Sequence, residues 1–303
     1  MKTKLILIIS LLVGLQSFGQ QDPQYTQYMY NTINVNPAYA GSRGVTSIFG
    51  LYRTQWVGLD GAPETATVSV HAPVGKNVGL GVSVINDRLG PMDNSTLAID
   101  FSYTLKTSEN WKLALGIKGK ANLLNVNYNK LHIRLPDDYM FQNNIQNEFS
   151  PNIGAGAYLY SESSYIGLSV PSFIETENYE HNELAVVKER LHFYLIGGHV
   201  FNLSYDWQFK PATMIKSVSG SPLQVDVSAN FLYNQKFTIG TAYRWDASFS
   251  ALLGFQITKG LFAGYSYDME TTKLQDYNSG SHEVFLRFDL FRKSTKITNP
   301  RFF

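Results

Sequence analysis

The feature that most constrains the fold is a side-chain period of two, repeated along the chain. In Leu223–Tyr233 the odd positions are Leu223, Val225, Val227, Ala229, Phe231 and Tyr233, all apolar or aromatic. The even positions are Gln224, Asp226, Ser228, Asn230 and Leu232, polar in all but one case. Leu97, Ile99, Phe101, Tyr103 and Leu105 oppose Thr96, Asp100, Ser102 and Thr104. Trp111, Leu113, Leu115 and Ile117 oppose Lys112, Ala114, Gly116 and Lys118, and Val284, Leu286, Phe288 and Leu290 oppose Glu283, Phe285, Arg287 and Asp289. Successive side chains of a strand point to opposite faces, so each stretch has one apolar and one polar face. A soluble sandwich turns the apolar face inward; a membrane barrel turns it outward.

The connections separate these two solutions. About fourteen strands are expected, near 45–55, 64–72, 78–87, 95–105, 111–124, 151–161, 164–170, 191–203, 206–216, 222–233, 236–244, 247–258, 261–268 and 281–291. Alternate links are short: Pro73–Asn77, Lys106–Asn110, Glu162–Ser163, Ser204–Tyr205, Asn234–Gln235 and Lys259–Gly260. The links between them are mostly longer: Gln55–Pro63, Arg88–Asn94, Asn125–Ser150, Pro171–Arg190, Ser217–Ser221 and Met269–Gly280, with Trp245-Asp246 a short exception. Short turns on one rim and long loops on the other are the outer-membrane pattern, and bacterial barrels have an even strand number. The expected fold is therefore all-β: an antiparallel transmembrane barrel over residues 45–291.

Composition agrees with this. Aromatic residues make up 14% of the chain, as the girdles of such barrels require. Cysteine is absent, which removes disulfides and thiolate chemistry. Residues 1–19 read as a signal peptide: Lys2 and Lys4, the apolar run Leu5–Leu15, then Ser17-Phe18-Gly19. Cleavage there would take the formal charge from +1 to −1, leaving no basic field for nucleic acid.

Fourteen strands about 4.8 Å apart and tilted about 40° give a backbone diameter of roughly 28 Å, enclosing a lumen too wide for wall side chains to fill completely. The leader, residues 20–44, is a candidate to occupy it. It carries Tyr25, Tyr28, Tyr30 and Tyr39 with Gln24, Gln27, Asn31, Asn34 and Asn36, and one acid, Asp22. Aromatic bodies with polar tips suit a wet protein interior or an adaptable docking surface. Pro23 and Pro37 bracket the segment and argue against a persistent helix; Asn36-Pro37 and Gly41-Ser42 read as turns. A solvated leader and a plug formed by Asn125–Ser150 are the competing readings.

Asp22-Pro23-Gln24-Tyr25, Gln27-Tyr28 and Asn36-Pro37-Ala38-Tyr39-Ala40-Gly41 resemble the opening of the PorP/SprF family, outer-membrane proteins of the type IX secretion system in Bacteroidetes-type bacteria. Arg53-Thr54-Gln55-Trp56-Val57-Gly58, Gly61-Ala62-Pro63, Thr65, Asn86-Asp87 and Gly90-Pro91 continue the resemblance. It implies a non-catalytic outer-membrane component that assists secretion or surface attachment of proteins bearing a C-terminal sorting domain, with a link to gliding motility. The implied partners are those secreted proteins, secretion or gliding-motor subunits, and outer-membrane lipid. The implied partner-binding or plug residues are Asp22, Pro23, Gln24, Tyr25, Gln27, Tyr28, Asn36, Pro37, Tyr39, Gly41, Arg53, Gln55 and Trp56. Members with an appended peptidoglycan-binding domain differ from this chain, where none follows the barrel.

From the residues themselves, Trp56 suits an interfacial girdle, and Arg53 is expected to pair with a nearby acid such as Asp87. Lys112, Lys118 and Lys120 share a lumen face, suited to an anion, to Asp22 or to lumen acids. The tail 292–303 carries Arg292, Lys293, Lys296 and Arg301 without an acid, and would be solvated or meet an acidic partner or headgroups. Enzymatic readings are weak. His71, His132, His181, His192, His199 and His282 lack metal-ligand spacing, no GxSxG occurs, and Ser69 with His71 is a commonplace i, i+2 pair on the lumen side. No cofactor or metal is expected. Gly79-x-Gly81 and Gly154-x-Gly156 lie within strands and read as close packing rather than phosphate loops. A channel for a small solute is the alternative function.

Overall fold

The protein is described by a computed structural model covering residues 23–131, 144–174, 177–178, 187–188 and 190–290. The expected signal peptide, Asp22, His132, His181, residues 132–143 of the Asn125–Ser150 connection and the basic tail lie outside the described residues.

Strands follow one another as β1 (Thr46–Thr54), β2 (Glu64–Val74), β3 (Val78–Leu89), β4 (Met92–Lys106), β5 (Lys112–Val126), β6 (Ile145–Tyr160) and β7 (Ser164–Val170). Then come β8 (His192–His199, continued by Phe201–Asn202), β9 (Trp207–Val218), β10 (Gln224–Tyr233), β11 (Phe237–Arg244), β12 (Ser248–Gln256), β13 (Leu261–Glu270) and β14 (Ser281–Leu290). A two-residue ribbon, Glu177–Asn178 with Val187–Lys188, lies in the connection after β7. Each barrel strand pairs antiparallel with its sequence neighbours. β1 closes on β14, with Thr46 opposite Leu290 and Thr54 opposite His282. Closure leaves no sheet edge within the barrel wall, the condition for a sheet to sit in lipid.

The faces are inverted relative to a soluble protein. Asp100 and Glu283 are completely buried, whereas Ile117 is 62% and Ile99 57% exposed. The apolar faces identified from alternation all point outward, and the polar faces line the lumen. Trp111, Trp207 and Trp245 stand exposed near the rims, where the amphipathic indole meets headgroups.

One rim carries only tight links, at 75–77, 107–111, 161–163, 203–206, 234–236 and 257–260. The other carries the longer connections, with two tight turns among them. One of these is a correction. Arg88–Asn94 is not a loop: β3 runs to Leu89, β4 begins at Met92, and Gly90-Pro91 alone makes the turn, with Gly90 at φ +56°. Its polar residues satisfy one another across the hairpin. Asn86 Nδ2 donates to Asp93 Oδ1 at 2.6 Å, and Arg88 Nε donates to Asp93 Oδ2 at 3.1 Å. Polar strands are stable there because β4, β5 and β6, at 15, 15 and 16 residues, exceed the roughly 9–11 that cross a bilayer. Their projecting ends bury Leu124, Val126, Tyr128 and Ile145 with Met92 in a small second core.

Candidate functional site

The described part of the leader, residues 23–44, lies inside the barrel. Its residues form three single turns, Tyr28–Tyr30, Thr32–Val35 and Pro37–Tyr39, and no persistent helix, as expected of it. None exceeds four residues, so no 3.6 period could show in the sequence. Asn36 starts the last turn: its Oδ1 accepts from Ala38 N at 3.0 Å and Pro37 takes the first position, where its missing N–H costs nothing. Tyr25, Tyr28, Met29, Tyr30, Ile33, Ala38 and Tyr39 are all buried, in one cluster with Phe49, Tyr158, Tyr165, Phe262 and Phe285 from the wall.

The wall is carved to receive it. A Cβ on Gly79 would strike the Ala40 carbonyl, one on Gly116 the Pro37–Ala38 backbone, and one on Gly81 the Ile33 side chain. Gly156 and Gly167 leave room for the Asn36 amide, whose Nδ2 donates to Ala157 O at 3.0 Å. Gly154 instead packs on the backbone of Val170 and Pro171. The Gly-x-Gly pairs are thus places of close approach. Gly41 is needed twice, for its φ of +71° and because a Cβ would meet Gly79 Cα.

Charged and polar groups fasten the leader at several depths. Arg43 Nη2 pairs with Asp289 at 2.8 Å. Gly41 N donates to His71 Nδ1 at 3.2 Å, and Tyr39 meets the His71 and Tyr158 rings edge-on at 5.4 and 5.5 Å. His71 Nδ1 thus binds the leader. Ser102 Oγ donates to Ala40 O at 2.7 Å, Ser169 Oγ to Val35 O at 2.7 Å, and Lys118 Nζ to Ile33 O at 3.1 Å. Lys118 also pairs with Asp100 at 3.0 Å, and Lys120 donates to Ser172 Oγ at 2.7 Å. Lys112 is exposed at the end of β5, away from both.

The densest node surrounds Thr26. Glu283 accepts from the backbone N–H groups of Thr26 and Gln27, both at 2.9 Å. Thr26 Oγ1 donates to Asp268 Oδ2 at 2.6 Å and accepts from Arg53 Nη1 at 2.8 Å. Arg53 closes the set, reaching Asp268 at 2.7 Å and Glu283 at 3.3 Å. Its expected partner, Asp87, instead accepts from Thr65. The register explains the difference: Glu283 is directly opposite Arg53 on β14, whereas Thr65 stands between Arg53 and Asp87. Two strand spacings put Asp87 roughly 9.6 Å away.

Above this node is a cavity of about 500 Å³ whose lining includes Pro23, Gln24, Tyr25, Gln55, Trp56 and Arg244. Trp56 is a second correction. A left-handed backbone (φ +46°) turns it toward the cavity, where its Nε1 donates to Glu270 at 2.7 Å, so it does not face lipid. Arg244 pairs with Asp226 at 2.6 Å and donates to Gln24 Oε1 at 3.1 Å. Tyr25 OH and Thr67 Oγ1 are 3.1 Å apart.

Sequence reading passed over Asp268, Arg244 and the buried Lys210, whose Nζ lies 5.4 Å from the Tyr30 ring centre, and placed Asp226 on a polar face without a partner. The available signal was charge at lumen-facing positions of otherwise apolar strands.

Fold and interior together define an outer-membrane β-barrel that holds residues 23–44 of its own chain within its lumen. A family model for the type IX secretion system membrane protein PorP/SprF matches residues 17–288, and the chain belongs to that family. It is an outer-membrane component of type IX secretion, which implies contact with other components of that system. No curated protein matches the chain. Among solved structures it is similar to the CymD monoaromatic hydrocarbon channel, with 11% identity, TM-score 0.52, and 91% of this chain and 95% of that one covered. It is also similar to the Acinetobacter baumannii outer membrane protein Omp33, with 9% identity, TM-score 0.50, and 81% and 98% covered. At such identity these likenesses concern the fold.

Proposed function

We propose that this protein is a non-catalytic docking and export accessory of type IX secretion, assisting secretion or surface attachment of proteins with a C-terminal sorting domain. Family membership over nearly the whole barrel is the observation that carries the reading. The same reading includes export through a signal peptide at residues 1–19, a Bacteroidetes-type source and a role in gliding motility. The leader acts as a plug. Buried, glycine-cradled and fastened by Arg43, Arg53 and Lys118, it supports a closed barrel rather than a diffusion channel.

The test is an affinity pull-down from detergent-solubilised outer membranes, comparing the intact protein with a deletion of residues 21–43 at equal folded levels. Recovery of a sorting-domain protein or secretion subunits with the intact form supports docking, and loss on deletion assigns the leader to that contact. Recovery of no secretion component, together with solute-dependent conductance of the intact protein, would overturn the reading in favour of a channel.

A further inference from the structure

The leader's contacts follow one another in depth, and the closing strand pair supplies the ruler. Thr46 opposite Leu290 marks the short-turn rim, and Thr54 opposite His282 marks the long-loop rim. Arg43 binds Asp289, one residue from the short-turn end. Gly41 binds His71, which pairs with Ser47, still near that end. Ala40 meets Ser102, whose register partner Gly79 is the second residue of β3. Thr26 binds Glu283, which pairs with Arg53 at the opposite end of β1. Gln24 then reaches Gln224, the first residue of β10, and Arg244, the last of β11, both at the long-loop rim. Pro23 lines the cavity beyond them. The eight steps of β1 correspond to ~20 Å of depth at a tilt of about 40°.

In outer-membrane barrels the short turns face the periplasm and the long loops face outward. We infer that the chain is threaded through its own barrel from outside to inside, so that Pro23 stands in a vestibule open to the cell exterior while Gly44 leaves at the periplasmic rim. The surface presented outside the cell is then composite. Its floor is the leader, at Pro23, Gln24 and Tyr25, and its walls include Gln55, Trp56 and Arg244. This goes beyond the secretion reading and does not depend on which protein docks.

The natural absence of cysteine makes the test direct. Gln24→Cys and Pro23→Cys would each be expressed in cells and exposed to a small membrane-impermeant methanethiosulfonate, before and after permeabilising the outer membrane. Heat-modifiable gel migration selects folded barrel. Tyr277→Cys, at an exposed site of the β13–β14 connection, reports the exterior, and Lys76→Cys, in the β2–β3 turn, reports the periplasm. Labelling of a leader cysteine in intact cells, matching Tyr277→Cys while Lys76→Cys stays unlabelled, is expected. Labelling of both leader cysteines only after permeabilisation overturns the inference, as does labelling of neither in folded barrel. Inverted behaviour of the two reporters would also overturn it. Loss of secretion partners in the pull-down above leaves this readout unchanged, so the two ideas fail separately.

Discussion

Arg53 and Glu283 face each other across the strand pair that closes the barrel, and their side chains meet at 3.3 Å, both fully buried. Asp268, on the next strand, completes a charge set that also holds the leader at Thr26. Removing one member of a buried ion pair leaves the other uncompensated, at a cost of about 3–5 kcal/mol. Arg53→Leu is therefore expected to lower barrel stability by that order and to release the leader. Urea titration of the refolded barrel, followed by its heat-modifiable mobility, checks the first. Protease sensitivity near Thr26 checks the second.

The pair also predicts a coupling. Arg53→Leu and Glu283→Leu combined should cost less than the sum of the two single changes, because Arg53→Leu alone strands both Glu283 and Asp268 whereas the double variant strands only Asp268. Interaction energies of about 0.5–3 kcal/mol are usual for contacting residues. Strict additivity in a double-mutant cycle would remove the node from this account.

Two glycines on β5 provide a matched comparison. A Cβ on Gly116 meets the Pro37–Ala38 backbone, whereas one on Gly119 meets nothing within 4 Å. Gly116→Ala should cost about 1–3 kcal/mol through overpacking and loosen the leader. Gly119→Ala should leave both stability and leader protection near the parent. The readout is protease cleavage of the leader in folded barrels.

The outer face makes a different prediction. Ile117 is 62% exposed midway along β5, where lipid chains surround it. Ile117→Arg should destabilise the barrel by about 2–4 kcal/mol, as a charge near the bilayer midplane does. Ile117→Val should be close to neutral. Refolding titrations into lipid vesicles distinguish the two.

If the leader closes the lumen, its removal opens it. A deletion of residues 23–43 is expected to conduct ions in planar bilayers, while the intact protein stays silent. Equal conductance of the two would show that the leader does not obstruct the pore.

The barrel was legible because alternation is local: Leu97–Leu105 or Leu223–Tyr233 each reveal an outward face without reference to any other strand. The glycine pairs were legible as close packing for the same reason, although not what packs on them. Arg53's partners were not. Glu283 lies 230 positions away, and only ring closure makes it a neighbour. Asp87, near in sequence, is kept apart by one intervening strand. Trp56 misled because residue type suggests a girdle while its left-handed backbone, invisible in composition, aims it at Glu270. Arg88–Asn94 misled because polar residues normally mark a loop, and here they pair across strands that project beyond the lipid.

The leader is made first, yet Asp268, Glu283 and Asp289, which hold Thr26, Gln27 and Arg43, are all carried by β13 and β14. A chain that stops before β13 carries none of those carboxylates. The first segment of the barrel to be synthesised is thus fastened in part by the last two, so its full set of anchors exists only once the ring is complete.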